Sequence, residues 1–319
     1  MDLIDKKIMC ALDNNCRKPL SQIAHELRIG RNVIGYRVKN LEKEGIISKY
    51  ICSINLGKLG YKTYKIYFKI QSANQSSAKE FSNFLINNDS VIHCIKTEGS
   101  FDYSVAIAVK TILALDNFLN EIKTKFGEII KDYFVSIIIY TKVFKLNKLL
   151  LNIKEKMIKS EKYSGEEETY RIDEKDKKII RVLAQRSNLS LLDIAEKTNL
   201  TVDIVKYRLK KLSENIITSY RPVFNLSKFG YYHYVLMLKM RHSGEKTEKD
   251  LLSWCTNKEN VLYCTKRIGH FDFEVNIAIN NIENLNSFIE EFKKRFAIFI
   301  DSYELIINRE LLKLNYVPF

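Results

Sequence analysis

The chain has 319 residues, 46% of them hydrophobic and 28% charged, with a formal net charge of +14 and a pI near 9.3. That length divides into two or more domains with real cores, and the excess of Lys and Arg points to a polyanionic partner. No run of 18 apolar residues exists, and Asp2, Asp5, Lys6 and Lys7 stand where a signal peptide would be apolar, so a soluble, cytoplasmic protein without a membrane partner is expected. The six cysteines are scattered without a C-x-x-C pair, which excludes zinc spacing and a disulfide framework. No metal site, cofactor or catalytic constellation is expected.

Residues 3–14 read as a helix, with Leu3, Ile4, Ile8, Ala11 and Leu12 at helical spacing. A second short helix runs from Pro19 to Leu27, where the proline opens the first turn, and a third from about Arg31 to Lys43 after the turn Arg28-Ile29-Gly30. Three short helices with a turn before the third make a helix-turn-helix. Ile46 to Ile51 then reads as a strand, taken as the wing, and Asn55 to Gly60 as a turn. Beyond it come a strand with Tyr64, Ile66, Phe68 and Ile70 on one face, a helix over Ser77 to Ile86, strands over Val91 to Thr97 and Tyr103 to Val109, and an amphipathic helix with Leu115, Phe118, Leu119, Ile122 and Phe126. A last strand over Val135 to Tyr140 completes βαββαβ, the ferredoxin-like order. Lys154 to Glu168 is charged and reads as a helix fraying into a linker.

The whole programme then recurs. Asp5-Lys6-Lys7-Ile8 returns as Asp176-Lys177-Lys178-Ile179, and Gly99-Ser100-Phe101-Asp102 as Gly269-His270-Phe271-Asp272. The offset is one residue shorter after Gly45, which has no counterpart. A period of this length is a duplicated fold unit rather than a solenoid repeat, which runs to about 20–50 residues. The fold class expected is therefore α+β: helix-turn-helix domains over 1–60 and 172–230, ferredoxin-like domains over 61–150 and 231–319, and a linker over 151–171. Roughly +9 of the charge falls in residues 1–150 and roughly +5 in the remainder.

On the third helix, Ile34, Val38 and Leu41 form a buried stripe, which turns Asn32, Tyr36, Lys39 and Lys43 outward; Arg31 stands at its start. In the second copy the stripe is Val205, Leu209 and Leu212, and Lys206, Tyr207 and Lys210 point outward with Asp203 and Glu214. Such a helix reads base edges in a major groove about 12 Å wide while its basic groups meet phosphates. Arg37 and Arg208, at the edge of each stripe, are expected at phosphates. The carboxylates of Asp203 and Glu214 replace Asn32 and Lys43, so the second helix should bind DNA more weakly or read a different half-site.

With these motifs in place, the chain resembles the Lrp/AsnC, or feast/famine, family of transcription regulators, present twice. Asp5-Lys6-Lys7-Ile8, Leu20-x-x-Ile23-Ala24, the run Arg37 to Ile47 and Gly99-x-x-Asp102 carry the resemblance. It implies a winged helix-turn-helix joined to a ligand-sensing domain, pairing through the sensing sheets, double-stranded DNA as partner, and an amino acid or similar small effector. It places the effector near Gly99 and Asp102 in the first copy and Gly269 and Asp272 in the second. A glycine there permits a tight turn and a carboxylate can pair with an ammonium group; a hairpin turn alone also asks for Gly and Asp. A tandem chain implies an intramolecular pseudo-dimer or a homo-oligomer.

Two other readings keep the same architecture. Sirohaem decarboxylases look like Lrp/AsnC proteins, but His25, His93, His233, His242 and His270 stand at unequal positions in the two copies, and no Pro/Trp-rich segment follows Gly99. The third reading is a sensor that binds another regulator.

Overall fold

The computed structural model describes residues 1–71, 75–152, 160–162, 169–241 and 244–319. The first copy runs α1 (Leu3–Asn14), α2 (Leu20–Leu27), α3 (Arg31–Lys43), β1 (Ile47–Ile54), β2 (Lys62–Ile70), α4 (Gln75–Asn87), β3 (Val91–Glu98), β4 (Tyr103–Val109), α5 (Ile112–Phe126) and β5 (Ile130–Val143). After α6 (Leu146–Leu151) and β6 (Ser160–Lys162), the second copy repeats it as α7 (Glu174–Gln185), α8 (Leu191–Thr198), α9 (Val202–Asn215), β7 (Ile217–Phe224), β8 (Tyr232–Met240), α10 (Glu245–Asn257), β9 (Val261–Gly269), β10 (Phe273–Ile279), α11 (Ile282–Phe296) and β11 (Ile300–Leu314). The expected linker thus contains a strand, β6, which pairs with Tyr140 to Lys142 of β5. Most of that segment, residues 153–159 and 163–168, and with it the fraying helix, lies outside the described residues, as does His242.

The chain forms two compact units, and each draws on both copies. The first holds Met1–Asn55, Phe144–Ile158 and Tyr170–Tyr231. Here α1 and α7 open with matching capping boxes, Asp2 with Asp5 and Asp173 with Asp176, which satisfy orphan N–H groups at the helix starts. Pro19 is the N-cap of α2 rather than its first residue. The strand expected as a wing does not fold back within its own copy. Instead β1 pairs antiparallel with β7, in a register where Ile51 opposes Arg221, its own counterpart in the other copy. A pseudo-two-fold axis therefore passes beside these two residues. Reciprocal bonds flank it: the Cys16 N–H donates to Tyr220 O and the Ser187 N–H to Tyr50 O.

The second unit holds Leu56–Val143, Lys159–Thr169 and Tyr232–Phe319. Its strands run β2-β4-β3-β11-β8-β10-β9-β5, and β5 pairs again with β2, so eight strands close into a ring, with β6 attached to β5. The crossings between copies are β3 with β11 and β9 with β5. Both last strands are much longer than the hydrophobic run at Val135 to Tyr140 suggests. The first half of each completes its own sheet, β5 with β2 and β11 with β8, and the second half pairs with the other copy. Outward-facing Tyr64, Ile66, Phe68, Val105 and Ile107 pack on Phe81, Leu85, Leu115, Phe118 and Ile122 of α4 and α5. In the second copy Trp254 lies among Phe288, Phe292 and Phe296.

Gly99 and Gly269 sit where the copies cross, at φ +122° and +147°, a region that favours glycine. A Cβ on Gly269 would stand 2.8 Å from Val135 O and 2.7 Å from Ser136 Oγ, and one on Gly99 3.1 Å from Leu305 O. Each turn glycine thus lets the other copy's last strand approach. Gly269→Ala is expected to cost about 2 kcal/mol or more, read as a lower midpoint in denaturant unfolding. Gly35→Ala, inside α3 with open space around the new Cβ, is expected to be neutral or to stabilise by up to about 1 kcal/mol.

Candidate nucleic-acid interface and sensing turns

In α3, Ile34, Val38 and Leu41 are buried as the spacing predicts, and Arg31, Asn32, Tyr36, Lys39 and Lys43 are exposed. In α9, Val205, Leu209 and Leu212 are buried while Lys206, Tyr207 and Lys210 are exposed. Tyr36 and Tyr207, 67% and 59% exposed, are large aromatic rings left in water on both helices. The two helices differ in detail. Thr201 caps α9 by accepting the Ile204 N–H at 3.3 Å, whereas Gly30 offers α3 no side-chain cap. Lys210 stands 4.0 Å from Glu214, and Lys211 lies over the Tyr207 ring.

Arg37 and Arg208, the groups expected at phosphates, each have one guanidinium nitrogen held within the fold. Arg37 Nη1 lies 2.7 Å from Asp2 and 2.8 Å from Asp5, and Arg208 Nη1 lies at the same distances from Asp173 and Asp176. The capping box at the start of the first helix of each copy thus doubles as a clamp on its third helix. The Asp5 N–H and then Arg37 hold the Asp2 carboxyl below its ordinary value. This accounts for the recurrence of the Asp-Lys-Lys-Ile motif, whose aspartate is the common element of cap and clamp.

The carboxylates of the sensing turns are likewise engaged within the fold. Asp102 Oδ2 accepts the Ile70 N–H at 2.9 Å and stands 3.4 Å from Lys69, whose ammonium donates to Gly99 O at 3.1 Å. Asp272 repeats this with the Met240 N–H at 2.7 Å and Lys239 at 3.7 Å. The Gly-x-x-Asp motif therefore ties its turn to the end of the neighbouring strand through Asp102 and Asp272, the carboxylates expected to face an effector ammonium. The turns also differ: the His270 ring stacks on Phe134 with centroids 4.1 Å apart, and the second copy has Glu304 where the first has Phe134.

A winged helix-turn-helix profile matches residues 1–48, and an AsnC-type helix-turn-helix profile matches residues 172–213. The HTH-type transcriptional regulator Ptr1 of Methanocaldococcus jannaschii is 34% identical over 124 residues, 38% of this chain and 80% of that protein. The chain belongs to the Lrp/AsnC family. The HTH-type transcriptional regulator FL11 of Pyrococcus furiosus is 30% identical over 121 residues, 38% of this chain and 78% of its own length. Each relative therefore corresponds to one copy. Over the whole chain, the fold is similar to that of the siroheme decarboxylase NirDL, with a TM-score of 0.63 and 16% identity, covering 99% of this chain and 94% of that one.

One polar group of this Lrp/AsnC chain is absent from the sequence reading. Inside the ring of strands, Glu274 forms an ion pair with the fully buried Arg267 and accepts from Tyr67 Oη at 2.7 Å and Asn276 Nδ2 at 2.9 Å. Asn276 Oδ1 in turn lies 2.9 Å from His233 Nε2, and Lys65 and His93 stand in the same interior. The signal was in the alternation: Phe273, Val275 and Ile277 face the helices, so Glu274 and Asn276 must face inward. Burial alone would raise the Glu274 carboxyl, but Arg267 and then Lys65 overcome it and hold it at about 2. Burial, with Lys65 nearby, pushes His93 down to about 3, and burial lowers His233. Among the described residues no cluster of His, Cys, Asp and Glu forms a metal site, and no helix is long and apolar enough to cross a membrane.

The histidines set the sign of one pH effect. The unfolded chain protonates His93 near pH 6.5 and the native protein only near 3, so stability falls as pH drops from 6.5 towards 5, by at most about 1.4 kcal/mol per pH unit for each such group. Denaturant unfolding at pH 7, 6 and 5 should show this slope, and His93→Phe should reduce it.

Proposed function

We propose that this chain is a DNA-binding transcription regulator that works as a built-in pseudo-dimer with two unlike readers, and so suits an asymmetric operator. The observation that carries this reading is the pair of exposed faces on α3 and α9, which share Tyr36/Tyr207 and Lys39/Lys210 and differ at Asn32/Asp203 and Lys43/Glu214. The proposed DNA-contacting groups are Arg31, Asn32, Tyr36, Lys39 and Lys43 of α3, and Lys206, Tyr207 and Lys210 of α9. Arg37 and Arg208 support the readers from behind by fixing the third helix of each copy to the first. A symmetric dimer of the family matches a near-palindromic site because its two readers are identical; here only the Tyr and Lys contacts would be common to both half-sites. A small effector such as an amino acid, acting at the crossings near Gly99 and Gly269, is part of the proposal. The unequal residues there, Phe134 with His270 against Glu304 with Ser100, support different occupancy of the two places.

A second reading has one observation in its favour. The full-length likeness to a siroheme decarboxylase, together with the buried Arg267 and the partly buried His93 and His233 beside it in the ring, supports an enzyme acting on a carboxylated tetrapyrrole. A change in the sirohaem absorbance on mixing with the protein, followed by loss of carbon dioxide, would favour it.

Selection of bound fragments from sheared genomic DNA, followed by anisotropy titration at two salt concentrations, tests the regulator reading. A few discrete sites with steeply salt-dependent affinity are expected. Lys39→Ala should weaken binding and lower the salt slope by about 1, as loss of one phosphate contact does. Lys210→Ala, whose ammonium is shared with Glu214, should have the smaller effect, and equal losses would count against unlike readers.

A further inference from the structure

Both units contain polar pairs that join the copies but occur in only one of the two places related by the pseudo-symmetry. In the first unit, Arg221 donates to Asp13 through Nε at 3.0 Å and Nη2 at 2.7 Å, and the Asp13 side chain is 1% exposed. At the equivalent positions stand Ile51 and Ala184, which cannot form such a pair. Arg17 adds bonds to Ser187 O at 2.7 Å and Leu189 O at 2.8 Å, while its counterpart is Asn188. In the second unit, Tyr67 of the first copy donates to Glu274 of the second and accepts from Arg267 Nη2 at 3.3 Å. Lys65 of the first copy is buried with Glu274 as its countercharge. The equivalents of Lys65, Tyr67, Arg267 and Glu274 are Val235, Met237, Thr97 and Ser104.

These substitutions penalise like-with-like pairing in both directions. Two second copies joined as the ribbon is joined would set Arg221 directly opposite Arg221, because position 221 lies opposite its own counterpart. They would also place Met237 where Glu274 receives the Tyr67 hydroxyl. Two first copies would bury Asp13 against Ile51 twice, and Lys65 twice with Ser104 where its carboxylate should be. A buried charge deprived of its partner costs far more than the pair contributes, so the penalty falls on the wrong pairings.

We infer that these once-only polar pairs are a pairing code: the faces of the first copy accept the second copy and reject another first copy, and the faces of the second copy do the converse. The natural partner of each half is thus the other half of a tandem chain, and a symmetric pair of like halves is excluded. This selectivity does not depend on whether the protein binds DNA or acts on a tetrapyrrole.

The test uses the full chain with a protease recognition sequence in place of residues 163–168, cut after folding. Nicked protein and its nitrogen-15-labelled form are mixed in mild urea until labelled and unlabelled halves have exchanged, and native mass spectrometry then reads the pairs. The wild type should contain only pairs of one first and one second half. Two variants exchange each residue for its counterpart in the other copy, D13A/R17N/R221I in the first unit and K65V/Y67M/R267T/E274S in the second. Each should remain folded by circular dichroism and show like-with-like pairs, and the combination should approach random proportions. Like-with-like pairs at random proportions in the wild type would overturn the inference, as would a combined variant that still pairs only first with second.

Discussion

Backbone N–H and C=O groups at the edge of a sheet need partners, and in this protein neither copy can supply them alone. A βαββαβ sheet has two open edges, and an exposed edge is a template for uncontrolled pairing. Here β5 and β11 each finish their own sheet and run on to cover the edge that the other copy presents at β9 and β3. In the ring of eight strands that results, the edges at β9 and β3 are covered by the last strand of the other copy. The same constraint acts in the other unit, where β1 and β7 lack hairpin partners within their copies and become partners of each other. The turn glycines follow from it, since only a residue without Cβ lets the crossing strand approach so closely.

Once two copies close one ring, their differences meet in its interior. Eight strands leave a space that side chains can just fill. Part of the filling is apolar, with Tyr67, Phe101, Val235, Met237, Phe271 and Ile306 in one cluster. The rest is a charged group in which Glu274 serves Arg267, Tyr67 and Asn276, each needing the others to offset the loss of water. Arg267 Nε and Nη1 have no partner among the described residues. A symmetric dimer would carry every such group twice. The duplication allowed one copy to take the carboxylate and the other the hydroxyl and the ammonium.

In the unit that carries the reading helices, duplication preserved the support and let the surface diverge. The clamp of Arg37 on Asp2 and Asp5 is reproduced by Arg208 on Asp173 and Asp176 to within the same distances, and the buried stripes match residue for residue. What changed is outside: Asn32 against Asp203, Lys43 against Glu214, an uncapped helix start against one capped by Thr201. That division fits the proposed pair of unlike readers, each held equally firmly while presenting a different face.

The sequence alone determined the elements, because hydrophobic period is a local property. The spacing of Ile34, Val38 and Leu41 and the alternation from Tyr103 to Val109 define a helix and a strand whatever surrounds them, and the duplication follows from counting. It also named the exposed faces of α3 and α9, since a helix that buries one stripe must show the other. Tertiary structure decided the rest, which depends on residues far apart in the chain. Whether Ile46 to Ile51 is a wing or half of a shared ribbon depends on β7, roughly 170 residues away, so no local pattern could distinguish them. The duties of Arg37 and Asp102 depend on which groups folding brings near: an arginine beside a recognition stripe can meet a phosphate or a capping aspartate, and a turn aspartate can meet a ligand or its neighbour's N–H. The inward charge at Glu274 was legible as an alternation, but its partners Arg267 and Tyr67 became visible only when the ring closed around them.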